Sequence, residues 1–308
     1  MLRYWLDTYA RQNVRPKTLE SYVHVIERHI IPTLGAIVVQ KLTADQVQAF
    51  YAGRLAAGVG PRTVQLCHLR LVQAIKQAVR LDLVARNVME AVTPPRVERK
   101  EMEVWTADEA RRFMTTAASS AYGPIWTVFL STGMRRGEVL GLRWQDVDTD
   151  AGTLAVRQVV GVVGGAIVIS PPKTKTSRRN VAVPAPVISA LREHRAVQNE
   201  RRLRLGPLWE DHDLVFAAAN GKPINPENLK RDYDRWVAAA GVPRIRIHDL
   251  RHSHVTLAIK AGGSIKAVSQ RVGHARTSIT MDVYAHVLPE QHADVSDKIG
   301  AALFGKAL

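Results

Sequence analysis

Residues 132–144 read TGMRRGEVLGLRW, the first of four short elements that together decide the fold. Gly133 lets the chain turn sharply into a helix, which places Arg135 near the helix N-terminus. A guanidinium at that position is well placed to bind a phosphate group. By itself this signal is weak, because an arginine near a helix start is more often a solvated surface residue.

The second element is the sequence HDLR at residues 248–251. A spacing of three residues on a helix puts His248 and Arg251 on one face, within reach of one ligand. An imidazole can transfer protons near neutral pH, and a guanidinium can hold phosphate oxygens through two hydrogen bonds. An ordinary polar helix face would give the same pattern, so this pair also decides nothing alone.

The third and fourth elements are VGH at residues 272–274 and MDVYAH at residues 281–286. His274 and Tyr284 fall on successive predicted helices joined by a short turn. A tyrosine on an amphipathic helix is usually a packing residue with its hydroxyl at the surface. That interpretation loses force for Tyr284 only because of the residues that accompany it.

The remaining chain divides at residues 93–104, a proline-containing segment of dense mixed charge that predicts a linker. Residues 1–92 show helical spacing and predict a small helical bundle. Residues 105–287 predict a mixed α+β domain, in which residues 153–160 and 166–170 form a hairpin around a glycine-rich turn. The expected fold class is mainly α with a small β-sheet. Capping boxes at Thr43 and Thr106 predict helix starts.

The composition points to a protein that binds a polyanion. The chain has 308 residues, with 43 Lys and Arg against 28 Asp and Glu, and both sides of the linker are basic. Neutralising phosphates releases counterions, so nucleic acid is the favoured partner, although a basic surface kept for solubility remains the alternative. The single cysteine, Cys67, argues against a disulfide and a cysteine-rich zinc site. We expect a cytoplasmic protein without a membrane span.

One ordered set of residues resembles the catalytic signature of the tyrosine recombinases: Arg135, His248-x-x-Arg251, Gly273-His274 and Tyr284. Within that family, the sequences of these motifs are most similar to those of the phage integrases. The resemblance covers residues 105–290, and the preceding bundle resembles the family's SAM-like core-binding domain. It implies a catalytic domain of the tyrosine recombinase and type IB topoisomerase type. The implied activity is site-specific DNA recombination through a covalent 3′-phosphotyrosine, for integration or excision of a mobile element.

The resemblance also implies the roles of the site residues, without a metal or other cofactor. Tyr284 would be the nucleophile, Arg135 and Arg251 would hold the phosphate, and His248 would be the general base. His274 would hydrogen-bond the phosphate, and Glu138 would pair with a basic group or serve only the fold. The family's catalytic lysine lies on a hairpin loop, where Lys173 matches best and Lys175 competes. Further DNA contacts are expected from one basic stretch, namely Lys175, Arg178 and Arg179.

The implied partners are double-stranded DNA attachment sites, three further copies of the chain in a homotetramer, and an accessory DNA-bending or directionality factor. The tail at residues 288–308 carries apolar residues at helical spacing and would dock on a neighbouring subunit or on its own domain. Many integrases begin with a further arm-binding domain, so this chain resembles either a simpler recombinase or a piece of a longer one. The alternatives are a type IB topoisomerase and a non-catalytic DNA-binding regulator.

Overall fold

The computed structural model describes residues 1–98, 102–172 and 174–284. The described residues form two compact units, the first built from residues 1–98 with Val162–Ala166 and the second from the others. Within the described residues, no helix is both long enough and apolar enough to cross a membrane.

The first unit is helical, as its apolar spacing predicts. Its α-helices are α1 (Leu2–Trp5), α2 (Arg11–Asn13), α3 (Pro16–Val25), α4 (Ile31–Leu34), α5 (Ala44–Ala56) and α6 (Pro61–Arg80). The wider π-helical turns Leu6–Ala10 and Ile26–Ile30 connect the shorter pieces. After α3 the chain continues as helix but changes its hydrogen-bonding pattern at Ile26.

Local signals fix where the helices of the first unit begin. Thr43 and Gln46 form the expected capping box at the start of α5, with hydrogen bonds of 3.0 and 3.3 Å. Pro61 occupies the first turn of α6, where its missing N–H costs no helical hydrogen bond. The α6 helix then buries an apolar face that includes Cys67, Leu71 and Ala74.

The second unit begins with α7 (Ala107–Ala117), which is opened by the expected capping box of Thr106 and Glu109. Its other α-helices are α8 (Gly123–Thr132), α9 (Arg136–Leu140), α10 (Ala185–Leu205), α11 (Pro226–Ala240), α12 (Asp249–Lys260), α13 (Ile265–Val272) and α14 (Thr277–Tyr284). The strands are β1 (Val147–Asp148), β2 (Thr153–Val156), β3 (Val159–Val163), β4 (Ala166–Ser170) and β5 (Arg179–Ala182), and the tip of the β3–β4 hairpin is the segment Val162–Ala166 of the first unit.

The strands differ from the predicted hairpin in one respect. Residues 153–160 form two strands, because β2 joins an antiparallel sheet of order β1-β2-β5 while β3 pairs with β4. The break follows from close packing on α9, where a Cβ on Gly137 would lie 2.6 Å from the carbonyl oxygen of Val160. A Cβ on Gly141 would likewise lie 2.9 Å from the Gln158 carbonyl oxygen.

The core of the second unit surrounds α8, which is buried on most sides. Trp105, Phe113, Trp126 and Tyr233 pack ring against ring, with centroids 4.9 to 6.1 Å apart. Trp105 also donates two hydrogen bonds, from its backbone to Ser253 Oγ at 2.9 Å and from its ring to a carbonyl at 2.7 Å. These contacts fix α8 and α12 side by side, which positions the residues described next.

Candidate active site

The C-terminal end of α8 is the foundation of the site. The helix stops at Gly133, which has the left-handed conformation (φ 63°) that glycine adopts without strain. A Cβ at this position would lie 2.5 Å from the His254 ring, so the glycine also makes room for α12. Arg135 follows immediately as the N-cap residue of α9, as the sequence predicts.

Three side chains from α12 and α13 donate hydrogen bonds to carbonyl groups at this end of α8. His254 Nδ1 lies 2.8 Å from the Leu130 oxygen, Arg271 donates to Ser131 at 3.0 Å, and Arg251 donates to Gly133 at 2.7 Å. The last carbonyls of a helix lack helical partners and carry partial negative charge, so cationic donors are favourable there. The helix end and the two arginines therefore hold each other in place.

Glu138 connects Arg135 to the protein interior. Its carboxylate is 2% exposed and accepts hydrogen bonds from the Arg135 side chain at 2.8 Å and from the Arg135 backbone at 2.9 Å. Arg135 also donates to the carbonyl oxygen of Gly273 at 3.1 Å, which ties α9 to the end of α13. The expected ion pair of Glu138 with a basic group is present.

Arg179 is a second partner of Glu138, although the sequence suggested a DNA contact. Its side chain is 8% exposed and donates to Glu138 Oε2 at 2.9 Å. Burial alone would raise the pKa of the Glu138 carboxyl, but the hydrogen bond and charge of Arg179, joined by Arg135, outweigh burial and lower it. Glu138 is therefore ionised at neutral pH.

Arg135, Arg179, Arg251 and Arg271 form a guanidinium cluster with an excess of positive charge. Among the residues that the structure describes, Glu138 is the carboxylate that forms ion pairs with members of this cluster. Burial and the neighbouring charge of Arg135 lower the pKa of Arg251, yet a guanidinium keeps its proton at neutral pH. An anion placed beside Arg135 and Arg251 would relieve this repulsion.

His248 sits at the start of α12 and touches a second imidazole. Its ring is 5.3 Å from that of His252, in an edge-to-face arrangement. Part of His248 is exposed, but partial burial of the ring, followed by the charges of His252 and Arg251, lowers its pKa to about 4. At neutral pH the ring is uncharged and can accept a proton.

His274 follows Gly273 at the end of α13. Its Nδ1 lies 2.7 Å from the hydroxyl of Thr280, a fully buried residue of α14. Burial, followed by the charges of Arg251 and Arg135, lowers the pKa of His274 to about 4. The neutral ring therefore keeps a hydrogen-bonding nitrogen beside the guanidinium cluster.

The structure places the backbone of Tyr284 at the end of α14, a helix that packs against α12 and α13. The Tyr284 side chain and Lys173 lie outside the described part of the chain, as does the tail at 288–308. Lys175 falls in the 3₁₀ turn Lys175–Ser177, and of Lys175 itself only the backbone is described. Arg178 is exposed, unlike Arg179.

Sequence reasoning brought Arg135, Glu138, Arg251 and His274 into one site and missed several of their neighbours. Arg271 and His254 lie on faces that look like ordinary helix surface in sequence, although both cap α8. His252 is adjacent to the HDLR motif, and a second imidazole directly after Arg251 is the signal that could have identified it.

Comparison with known proteins identifies the family. The sequence profile of the phage integrase family matches residues 103–291, well over half of the chain. The chain belongs to the phage integrase family. A second profile, the N-terminal SAM-like domain of phage integrases, matches residues 1–53.

Curated relatives agree with this phage integrase assignment. An integrase of Streptomyces ambofaciens is 31% identical over 297 residues, which cover 91% of this chain and 74% of that protein. The ICEBs1 integrase of Bacillus subtilis (strain 168) is 26% identical over 287 residues, or 92% of this chain and 78% of the relative. The resemblance inferred from the four motifs is confirmed.

Solved structures confirm the fold class. The Tn1549 transposon integrase in complex with transposon right end DNA has a TM-score of 0.77 at 19% identity, covering 96% of this chain and 99% of that one. A lambda integrase dimer bound to a COC′ core site has a TM-score of 0.68 at 19% identity, covering 92% and 93%.

This phage integrase family member is a site-specific tyrosine recombinase, an enzyme that breaks and rejoins DNA. The similarities favour neither of the two alternatives, a type IB topoisomerase or a non-catalytic regulator.

Proposed function

We propose that this recombinase integrates or excises a mobile DNA element, and that Tyr284 cleaves the DNA through a covalent 3′-phosphotyrosine. The observation that carries the proposal is the excess positive charge of the guanidinium cluster, which Glu138 balances only in part. A phosphodiester supplies the missing negative charge. The position of Tyr284 on a helix packed against α12 and α13 is consistent with this role.

Arg135 and Arg251 bind the non-bridging oxygens of the scissile phosphate. Their hydrogen bonds to carbonyls and to Glu138 fix both guanidinium planes before DNA arrives, and each retains N–H groups that these bonds do not use. Such preorganised donors stabilise the charge that develops in the transition state. The same two side chains serve cleavage and religation, because both steps pass through the same pentavalent phosphorus.

Proton transfer completes the reaction. The Tyr284 hydroxyl attacks phosphorus while its proton moves to His248, which is neutral at pH 7. The bond from phosphorus to the 5′ oxygen breaks, and Lys173, or Lys175 in its place, donates a proton to that oxygen. One ester replaces another, so religation by the reverse steps needs no nucleotide. His274 hydrogen-bonds the phosphate, and Glu138 supports Arg135.

The proposed partners are double-stranded attachment sites bound by a homotetramer, with an accessory DNA-bending or directionality factor. Similar folds support the assembly, since one matching structure is a lambda integrase tetramer bound to a Holliday junction. The exposed Arg178 and, three residues before it, Lys175 are proposed DNA contacts. Residues 1–92 and 105–287 are proposed as the core-binding and catalytic domains, with 93–104 as the linker and 288–308 as a docking tail.

A nicked suicide substrate containing a candidate attachment site tests the nucleophile. After cleavage, the short DNA fragment between the cleaved phosphate and the nick dissociates and takes the free 5′-hydroxyl with it. Religation is then impossible, so wild-type protein accumulates as a covalent adduct. Tyr284→Phe is expected to form none. Tyr233→Phe is the matched control, because the buried Tyr233 hydroxyl has no hydrogen-bond partner in the described structure and its removal leaves the site intact. An adduct with Tyr284→Phe would contradict the proposal.

A supercoiled plasmid without an attachment site tests the topoisomerase alternative. A recombinase that needs a specific site and several subunits leaves this plasmid supercoiled at nanomolar protein. Rapid relaxation by monomeric protein would instead support the type IB topoisomerase function.

A further inference from the structure

Arg179 stands out because it joins three separate parts of the second unit. Its Nε donates to the carbonyl oxygen of Arg271 at 2.6 Å, near the end of α13. Its terminal nitrogens donate to Glu138 at 2.9 Å and to the carbonyl oxygen of Ser177 at 3.1 Å. One guanidinium thus spans α9, α13 and the turn before β5.

The backbone of Arg179 is anchored independently of these contacts. It is the first residue of β5 and pairs with Val156 of β2, whose side chain is buried in the core. The three-stranded sheet therefore sets where the Arg179 side chain begins, and the three acceptors set where it ends. Because both the backbone and the guanidinium of Arg179 are anchored, this side chain can hold the groups that it contacts in fixed positions.

The neighbours of Arg179 lead directly to the reacting groups. Glu138 accepts from Arg179 through one oxygen and from the Arg135 side chain through the other, so Arg179 fixes the carboxylate that orients Arg135. On the other side, a Cβ on Gly273 would lie 3.0 Å from a terminal nitrogen of Arg179. Gly273 precedes His274, and its carbonyl accepts from Arg135.

The turn at residues 174–177 is the third neighbour. The Thr174 hydroxyl lies 2.9 Å from that of Ser177 and 3.0 Å from that of Thr176, so the turn is closed by its own side chains. Arg179 binds the carbonyl at the end of this turn, and the Thr176 carbonyl oxygen would lie 3.1 Å from a Cβ on Gly273. The turn is therefore held against the end of α13.

We propose that Arg179 is a positioning residue for DNA cleavage, which aligns Arg135 and the Gly273–His274 step through Glu138 and the α13 terminus. The inference rests on the proposed function of Arg135 and His274. It replaces the sequence-based interpretation of Arg179 as a phosphate contact, because all three guanidinium nitrogens of Arg179 donate to protein acceptors. In Arg251 the described donations come from the two terminal nitrogens alone.

Arg178 is the matched comparison for DNA contact, because it is the adjacent residue, carries the same charge and is exposed. For the cleavage step we compare Arg179→Gln with wild-type protein and with Arg204→Gln, at an exposed residue of α10, in single-turnover cleavage of the suicide substrate at saturating protein. Misplacement of reacting groups by about 1 Å costs about 10²-fold in rate, so Arg179→Gln is expected to slow cleavage by 10- to 100-fold. Arg204→Gln is expected to cleave at the wild-type rate.

The salt dependence of binding separates positioning from DNA contact. Loss of one phosphate contact reduces the slope of log affinity against log salt by about 0.9. We expect this reduction for Arg178→Gln and not for Arg179→Gln. The opposite assignment, or a normal cleavage rate for Arg179→Gln, would overturn the proposal.

Two further measurements exclude simpler explanations. A misfolded fraction lowers the final yield of adduct but leaves the rate constant of the folded fraction unchanged, so a lower yield at the wild-type rate refutes positioning. Arg179→Lys retains the charge but cannot reach three acceptors, and we expect it to restore only part of the rate. Full restoration would show that charge alone matters. If wild-type protein forms no adduct, the proposed function itself fails, which is a distinct result.

Discussion

At the residue scale, Gly133 serves both the fold, by ending α8, and the candidate active site, by orienting Arg251. Its left-handed conformation ends α8, its missing Cβ admits the His254 ring, and its carbonyl orients Arg251. The sequence predicted the sharp turn from Gly133 and the placement of Arg135. It could not predict the contact with His254, because that depends on how α12 packs across α8.

Gly133→Ala is expected to lower the free energy of unfolding by about 3 kcal/mol, combining the strain of a positive φ with a clash against His254. Gly241→Ala is the control, because Gly241 ends α11 in the same conformation with no atom within 4 Å of its Cβ position. The control should lose only about 1 kcal/mol. Urea unfolding measures both, and equal losses would show that the clash is relieved at no cost.

At the element scale, the first turns of α12 bring together three histidines whose surroundings disfavour the protonated ring. His248, His252 and His254 lie on or beside its first turns, and in each case burial leads the causes that lower the pKa. The HDLR motif predicted the first of these from sequence. The other two could not be assigned a role, because a histidine on a helix face gives no indication of which carbonyl or ring it will meet.

The low pKa of His254 makes stability depend on pH. Burial lowers its pKa from 6.5 to about 4, so the unfolded chain binds a proton that the folded chain does not bind between these values. Burial of neutral His254 therefore carries no penalty above pH 6.5. As the pH falls from 6.5 towards 4, this group progressively lowers the free energy of unfolding.

His254→Asn should reduce the slope of unfolding free energy against pH by about 1.4 kcal/mol per unit near pH 5. Asparagine keeps a donor for the Leu130 carbonyl but does not titrate. Urea titrations at several pH values between 4.5 and 7 provide the measurement. An unchanged slope would mean that His254 is protonated in the folded protein.

At the scale of the whole molecule, the sequence predicted the class of fold and the family. Four motifs, one proline-containing segment and two capping boxes were sufficient, because these signals are local. The division of residues 153–160 between two sheets was missed, since it arises from the approach of β3 to the glycines of α9. The inward direction of Arg179 was missed for a different reason: Arg178 and Arg179 are the same residue type, so the sequence does not show which of the two side chains is buried.

The proposed domain limits predict that the two parts fold separately. Residues 1–98 and 102–308, expressed as independent fragments, should each give a cooperative urea transition and helical circular dichroism. Each unit has its own buried apolar cluster, which is the physical requirement for independent folding. A fragment that stays unfolded alone but folds when the other is added would contradict the limits.

The buried cysteine has a practical consequence for labelling this enzyme with a fluorophore. Cys67 is 1% exposed within α6, and burial raises the pKa of its thiol to about 11, so maleimide reagents have little thiolate to react with. A cysteine introduced on the surface, for example at Arg178, would then be the single reactive thiol of the folded chain. A fluorophore can therefore be attached at one chosen point while the natural cysteine stays in place, and subunit arrival on DNA can be followed by energy transfer.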